Sequence, residues 1–305
     1  MTLSLTSRRT WLGLALALGV LAPSAHAQTR TELRIGYQKY GTLTILKARG
    51  DLEKRLAAQN VDVKWTEFPA GPQLLEGLNV GSIDFGTVGE APPIFAQAAG
   101  ADLVYVANQP PAPAGEAIVV AKDSPIRSVA DLKGKKVALN KGSNVHYLLV
   151  KALEKAGVKY GGIQTVFLPP ADARAAFERG SVDAWVIWDP FLAAAEKQLG
   201  VRVLADGKGL VANHQFYLAS RSYADKQPQV IRAIVEELAK LDRWAEGNSR
   251  EVAASRFAYG IVPITPAVAV QQQKIADAFF ELKLIPKAIR ISDALPAALK
   301  TASNP

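Results

Sequence analysis

The order of strands and helices predicted by this sequence occurs twice along the chain. Between residues 33 and 107, apolar runs of strand type alternate with segments of helical spacing, and the alternation returns between residues 136 and 204. The tetrapeptide Gly-Ser-Ile-Asp at 81–84 returns as Gly-Ser-Val-Asp at 180–183, each time between a predicted helix and a predicted strand. Such alternation favours a mostly parallel sheet flanked by helices. The repeat therefore predicts an α/β fold of two lobes, and the alternative is a chance likeness between two α/β units.

The remainder of the chain does not begin a third repeat. After one more predicted strand, the pattern becomes helical over residues 228–244, 249–257 and 266–282. Such a tail can return to pack on the first lobe. We therefore expect residues 28–118 with 215–305 to form lobe 1, and residues 119–214 to form lobe 2. The chain then crosses between the lobes near residues 117–122 and 213–218, and two lobes joined by two strands can close by hinge motion.

The N-terminus has the pattern of an export signal. Arg8 and Arg9 precede an apolar run over residues 11–21, and an Ala-His-Ala site ends at Ala27. The run is shorter than the roughly 20 residues that span a bilayer, so the segment is typical of a secretory signal peptide. We expect residues 1–27 to be the signal peptide, with cleavage after Ala27. We also expect the mature protein to be periplasmic. The arginine pair is compatible with twin-arginine export, and ordinary Sec export is the alternative.

The composition excludes several kinds of site. The chain has no cysteine, which rules out disulfides, thiolate metal sites and a cysteine nucleophile. Apart from His26 in the expected signal peptide, only His146 and His214 remain, too few for a histidine-rich metal site. We therefore expect no metal and no cofactor. The net charge of +8 does not indicate nucleic-acid binding, because the basic residues are scattered and form no arginine-rich run.

Four strand-to-helix junctions, two in each predicted lobe, are the candidate binding site. They are residues 38–42, 87–90, 141–144 and 188–190. Ligands of open α/β sheets bind outside the carboxyl ends of the strands, where helices direct their N-terminal N–H groups at the crevice. Gly89 allows close backbone approach, and the candidate neutral donors are Thr42, Thr87, Ser143 and Asn144. Such helix starts suit an oxyanion; the alternative is that each junction is an ordinary cap or turn.

The same junctions also supply apolar and acidic side chains. The candidate apolar walls, each of which can equally be a core residue, are Tyr40, Val88, Trp188 and Phe216. Glu90 and Asp189 add acidic groups that can cap helices, bridge the lobes to a basic residue or receive a cationic group. We favour a structural or gating role for both.

Three segments carry a resemblance to a known family. They read Ile-Gly-Tyr-Gln-Lys at 35–39, Phe-Pro-Ala-Gly-Pro at 68–72 and Ala-Trp-Val-Ile-Trp-Asp-Pro at 184–190. The chain resembles the periplasmic aliphatic-sulfonate-binding proteins of ABC importers, and binders of nitrate, taurine and thiamine precursors share the wider pattern. The resemblance implies a two-lobed type II periplasmic binding protein fold without catalysis. It also implies a monomer that holds a sulfonate in the cleft and delivers it to an inner-membrane ABC permease.

The resemblance also implies individual contacts. By position, the ligand is held by Gln38, Thr87, Gly89, Ser143 and Asn144, with Trp188 against its organic part. Glu90 stands where close relatives tend to have Asp, which leaves the preferred ligand size open. Residues 207–214 match poorly, so His214 is assigned no contact.

The chemistry of a sulfonate agrees with this pattern of residues. A sulfonate stays ionised, so neutral N–H and O–H donors can hold it without the cost of burying a full counter-charge. Its organic tail suits aromatic walls beside an oxyanion site. Taurine, nitrate or a sulfate ester is the alternative ligand. A secreted hydrolase that uses Ser143 and His146 is a remote alternative, because the sequence has neither a Gly-x-Ser-x-Gly nor a His-Glu-x-x-His motif.

Overall fold

The computed structural model describes residues 30–248 and 252–296 of the chain. The expected signal peptide lies outside these residues. The strands are β1 Thr31–Tyr37, β2 Val61–Glu67, β3 Phe85–Gly89, β4 Leu103–Asn108, β5 Glu116–Val120, β6 Lys136–Leu139, β7 Gln164–Phe167, β8 Ala184–Trp188, β9 Arg202–Asp206 and β10 Gln215–Ser220. The helices are α1 Thr42–Arg49, α2 Asp51–Ala57, α3 Gly71–Asn79, α4 Pro92–Ala98, α5 Asn144–Lys155, α6 Pro170–Glu178, α7 Phe191–Leu199, α8 Arg221–Lys226, α9 Pro228–Asn248, α10 Val252–Ser255 and α11 Pro266–Glu281.

The strands form two five-stranded sheets with the same internal order. The first sheet runs β2-β1-β3-β10-β4 and the second runs β7-β6-β8-β5-β9. In each sheet the fourth strand is antiparallel to both of its neighbours, whereas the first three strands are parallel to one another. The two-lobed α/β fold with mostly parallel sheets is therefore confirmed. Lobe 1 is the first sheet with its helices, and lobe 2 is the second sheet with its helices.

The chain passes between the lobes earlier than expected. Strand β5 lies wholly in the second sheet, so the first passage falls at residues 109–115 and the expected boundary at residue 118 falls inside that strand. The second passage falls at residues 207–214. The two passages pair with each other: the Ala112 N–H donates to the Ala212 carbonyl at 3.0 Å, and the Gly207 N–H donates to the Pro113 carbonyl at 2.9 Å. The hinge is therefore a hydrogen-bonded ribbon of two segments.

The repeated tetrapeptide has the same structural role in both lobes. Its glycine follows a helix in the left-handed region, with φ of +74° in lobe 1 and +68° in lobe 2. Its aspartate side chain then accepts a backbone N–H from the neighbouring strand. Asp84 accepts the Arg34 N–H of β1 at 2.9 Å, and Asp183 accepts the Lys136 N–H of β6 at 2.7 Å. Each aspartate thus ties the helix–strand turn to the neighbouring central strand. The repeat in the sequence is therefore a repeat in structure as well.

The C-terminal helices cover both faces of the first sheet. Residues of α9 such as Ile234 pack in one apolar cluster with Ile35 of β1. Residues of α11 such as Phe279 pack in a second cluster with Leu74 of α3. The tail therefore returns to lobe 1, as the helical pattern predicted. No helix in the described part of the chain has the length and apolar character needed to cross a bilayer.

Two short helices follow β1. Helix α1 ends at Arg49 and α2 begins at Asp51. Gly50 lies between them with φ of +66°, a conformation that ends a helix at little cost for glycine.

We expect the aspartate tie to contribute more to stability in lobe 1. Asp84 is buried and also binds the Arg34 guanidinium, with the Asp84 Oδ1 atom 2.7 Å from Arg34 Nη2, whereas Asp183 is exposed. Asp84→Ala should lower the free energy of unfolding by about 2–3 kcal/mol, because it removes the acceptor of the Arg34 N–H and the ion-pair partner of the Arg34 guanidinium. Asp183→Ala should cost about 1 kcal/mol or less. Urea unfolding of the two variants measures the difference, and equal losses would contradict this assignment.

Candidate functional site

A small polar cavity lies where the two lobes meet at the carboxyl ends of their strands. It has a volume of about 10 Å³, which is room for about one water molecule. Its lining residues are Gln38, Tyr40, Gly71, Gly89, Gly115, Ser143, Asn144, Trp188, Asn213 and Gln215. All of them are uncharged. The structure therefore shows the lobes closed around a compact, neutral, polar space.

Half of the predicted site residues line this cavity. They are Gln38, Tyr40, Gly89, Ser143, Asn144 and Trp188. Four lining residues were not predicted. Gly71 begins α3 after β2, a strand-end junction inside the Phe-Pro-Ala-Gly-Pro motif that the strand–helix argument could have included. Gly115 and Asn213 lie on the hinge ribbon, and Gln215 begins β10. Their positions at the cavity depend on where the chain passes between the lobes, which no local sequence pattern indicates.

Three predicted residues lie inside lobe 1 instead of lining the cavity. Val88 and Phe216 are buried core residues, and Phe216 packs edge-on against Tyr105. The Thr87 hydroxyl donates to the Phe216 carbonyl at 3.2 Å, so its hydrogen is used within the sheet. The Thr87 carbonyl in turn accepts the Gln38 amide at 3.0 Å. Thr87 therefore orients Gln38 and does not present a hydroxyl donor to the cavity.

Thr42 is also committed to a partner within lobe 1. Its hydroxyl donates to the buried Asp242 carboxylate, which further accepts the Gln109 amide and the Gly260 N–H, both at 2.9 Å. Burial raises the pKa of Asp242, and these hydrogen bonds oppose the rise. The interaction ties the start of α1 to α9 and to the hinge ribbon. The Thr42 hydroxyl is therefore not available to donate to a ligand.

The helix starts differ in what they offer an anion. Helices α3 and α4 begin with proline in the first turn, which removes backbone donors there. At α7, the Ala193 N–H is taken by the Asp189 side chain at 3.0 Å. Helices α1 and α5 begin without proline and without a side-chain cap. The four predicted junctions thus reduce to two uncapped helix N-termini, one from each lobe.

Asn144, at the start of α5, bridges lobe 2 to the hinge. Its amide nitrogen donates to Glu116 at 2.8 Å and to the Asn213 side-chain oxygen at 2.7 Å. The Asn213 amide nitrogen donates to the Ala112 carbonyl at 2.9 Å, which fixes both amide orientations. Both N–H groups of the Asn144 side chain are therefore used, and its oxygen is directed at Gly89.

Glycine is required at position 89 by this close approach. A Cβ atom there would lie 2.4 Å from the Asn144 side-chain oxygen. Because the Asn144 amide is held by two hydrogen bonds, it cannot turn away without losing them. Gly89 of lobe 1 and Asn144 of lobe 2 therefore approach so closely that no side chain fits between them.

Ser143 and His146 do not form a catalytic pair. The Ser143 hydroxyl donates to the Asn140 carbonyl at 2.7 Å. The His146 Nδ1 atom accepts the Gly142 N–H at 3.2 Å, and its Nε2 atom lies 2.6 Å from the Tyr160 hydroxyl. Burial lowers the pKa of His146 to about 3, so the ring is neutral and positions the loop before α5.

Two buried carboxyl groups lie behind the cavity, Glu90 from lobe 1 and Glu116 from lobe 2. Glu90 accepts the His214 N–H at 3.1 Å, and its backbone carbonyl accepts the Gln272 amide. Burial raises the pKa of Glu90 to about 7. Burial, and then the charge of Glu90, raises the pKa of Glu116 well above its usual value. One oxygen of each carboxyl group has no hydrogen-bond partner among the described residues.

Asp189 connects lobe 2 to the C-terminal tail. Its side chain is buried and lies 3.6 Å from the Arg256 guanidinium. Burial raises the pKa of Asp189, while the charge of Arg256 opposes that rise. Within residues 30–248 and 252–296, no group of three His, Asp or Glu side chains is arranged to hold a metal ion.

Comparison with known proteins places the chain in a family. The NMT1/THI5-like family model matches residues 56–244. The alkanesulfonate-binding protein SsuA from Xanthomonas axonopodis pv. citri bound to MOPS is 41% identical with a TM-score of 0.82, and the match covers 88% of this chain and 99% of that one. The periplasmic aliphatic sulphonate binding protein SsuA from Escherichia coli is 47% identical with a TM-score of 0.76, covering 87% and 97%. An Escherichia coli (strain K12) relative, whose name places it among aliphatic sulfonates-binding proteins, is 47% identical over 92% of this chain and 93% of its own length.

The raised pKa of Glu90 predicts a stability that falls with rising pH. The folded protein holds the proton of Glu90 up to about pH 7, whereas the unfolded chain releases it near pH 4.5. This contribution is therefore complete below pH 4.5 and is lost as the pH rises through 7. Between pH 5 and pH 8 the free energy of unfolding should fall by about 2–3 kcal/mol from Glu90 alone, with Glu116 acting in the same direction.

Urea unfolding at the two pH values measures this effect. Glu90→Gln should flatten the profile and make the protein more stable than wild type at pH 8. Glu76→Gln, at an exposed position on α3, is the matched control and should keep the wild-type slope. An unchanged slope in Glu90→Gln would show that Glu90 does not hold a proton in the folded state.

Proposed function

This chain belongs to the NMT1/THI5-like family, and on that premise we propose that it captures aliphatic sulfonates and delivers them to an ABC permease in the inner membrane. The observation that carries the proposal is the neutral cavity that is lined by the uncapped start of α5 and by Gln38 and Tyr40 just before α1. A sulfonate needs donors and no proton acceptor, and helix N-termini supply donors together with a favourable dipole. The near relatives are sulfonate-binding proteins by name, and one of them is bound to MOPS, itself a sulfonate.

The cavity supports an assignment of roles to its residues. The Gln38 amide, oriented by Thr87, and the backbone N–H groups at the start of α5 hold the sulfonate oxygens. Trp188, which is mostly buried and lines the cavity, packs against the organic part at the carbon that carries the sulfonate group. Gly89 permits the lobes to close. The side chain of Asn144 holds the closed arrangement rather than the ligand.

The proposal includes location and partners. The periplasmic relative and the N-terminal pattern support export to the periplasm after removal of residues 1–27, by the twin-arginine or the Sec route. The protein acts as a monomer without a cofactor. Its ligand is a small anionic sulfonate and its macromolecular partner is the permease.

Ligand titration of the purified mature protein tests the proposal. Calorimetry with ethanesulfonate, taurine, nitrate and sulfate should give the tightest binding to ethanesulfonate, because nitrate and sulfate have no organic group and taurine carries an additional ammonium group. Tightest binding of nitrate or sulfate would overturn the sulfonate assignment.

Trp188 should report binding through its fluorescence. It lines the cavity, so a sulfonate that enters should change its emission. Trp188→Phe should abolish that change. Trp65→Phe is the control, because Trp65 lies on β2 with its indole N–H donating to Glu53 at 2.6 Å and does not line the cavity. Persistence of the full change in Trp188→Phe would remove Trp188 from the site.

Gly89→Ala should prevent closure. The added methyl group would meet the Asn144 oxygen at 2.4 Å, and Asn144 is held by Glu116 and Asn213. We expect at least a tenfold rise in the Kd for ethanesulfonate, which corresponds to about 1.4 kcal/mol, with no compaction by X-ray scattering on ligand addition. Gly161→Ala, where a Cβ meets no atom within 4 Å, should bind like wild type. A Kd within twofold of wild type in Gly89→Ala would show that the contact does not limit closure.

A further inference from the structure

A second, larger groove opens beside the polar cavity. Its volume is about 260 Å³, and it lies between the start of α1 and residues 252–259, which we call the strap. Tyr40 lines both the groove and the polar cavity. The groove walls are largely apolar and include Ile45 of α1, Pro190 of lobe 2, and Ala253, Phe257 and Tyr259 of the strap. The polar cavity and the apolar groove are therefore adjacent and share the side chain of Tyr40.

The strap contacts both lobes. Phe257 packs edge-on against Tyr40 with ring centroids 5.4 Å apart, and it lies 4.8 Å from the ring of Tyr259. Arg256 reaches lobe 2, where it pairs with Glu196 of α7 and lies 3.6 Å from Asp189. The aromatic side chains of the strap are thus held over the groove by an ion-pair network across the cleft.

The sizes of the two spaces indicate what each can hold. The polar cavity has room for little more than one water molecule, so it has to widen to admit a sulfonate group, and the bulk of the organic part then lies outside it. A cavity of about 150 Å³ is enough to hold benzene, and the groove exceeds that volume. Aromatic walls favour stacked or edge-on contact with a ring.

We propose that the groove binds the organic part of the sulfonate and that Phe257 and Tyr259 of the strap select ligands with an aromatic or cyclic group over short alkanesulfonates. This inference rests on the proposed function, because it places the sulfonate in the neighbouring polar cavity. Tyr40 forms the boundary between the two compartments. Arg256 is a positioning residue, since it holds the strap and does not line the groove.

Paired affinities for benzenesulfonate and ethanesulfonate test the inference on the mature protein. Wild type should bind benzenesulfonate more tightly. Phe257→Ala should weaken benzenesulfonate binding about fivefold and change ethanesulfonate binding less than twofold. Retained ethanesulfonate binding shows that the variant is folded. Phe280→Ala, at an exposed position on α11, is the matched control and should leave both affinities unchanged.

A second variant fills the groove instead of removing a wall. Ile45→Phe adds volume from the α1 side, so it should exclude benzenesulfonate while ethanesulfonate still binds. Equal losses for both ligands in Phe257→Ala, or benzenesulfonate binding that neither variant alters, would overturn the inference while the sulfonate function stands. If wild type binds no sulfonate at all, the proposed function itself fails.

Discussion

The hydrogen-bonded ribbon between the lobes is the constraint on which the rest of the structure depends. Because residues 109–115 and 207–214 pair with each other, the two sheets face one another along the carboxyl ends of their strands. The cavity then forms at the ribbon itself, and Gly115 and Asn213 of the ribbon line it. The Asn144 amide attaches α5 to the same ribbon. Site and hinge are therefore built from shared residues, so a change in the angle between the lobes changes the site directly.

The buried carboxyl groups of Glu90 and Glu116 are compatible with an anion in the cavity because burial disfavours their ionised forms. Ionised Glu90 and Glu116 behind the site would oppose a negative ligand, and each would carry the cost of a desolvated charge. Burial raises the pKa of both groups, that of Glu90 to about 7. Burial thus disfavours the negative charge of both groups near the ligand. The net charge of +8 of the chain then favours anions at long range, while neutral groups make the contacts.

The sequence predicted the fold better than it predicted the hydrogen-bond partners of individual side chains. The alternation of strands and helices and the repeated tetrapeptide were sufficient for two α/β lobes, because periodicity and turn residues are local signals. The hydroxyl groups were harder to predict. Thr42 donates to Asp242, which lies 200 residues away, and Thr87 donates to a carbonyl of the antiparallel strand. Which donors remain for a ligand depends on such distant partners. The groove under the strap was missed for the same reason, since Phe257 meets Tyr40 only in the folded chain.

The position of β10 in the sequence means that the sheets of the two lobes are completed at different times during synthesis. All strands of lobe 2 come from one uninterrupted stretch, β5 to β9, whereas lobe 1 has to wait for β10 and the C-terminal helices. As the chain emerges from its N-terminus, the first four strands of lobe 1 are made early but lack the strand that lies between β3 and β4. Lobe 2 can therefore complete its sheet first, and lobe 1 then closes around β10. The later-emerging lobe is thus the first whose sheet can be completed, and the edges of β3 and β4 stay unpaired until β10 is made.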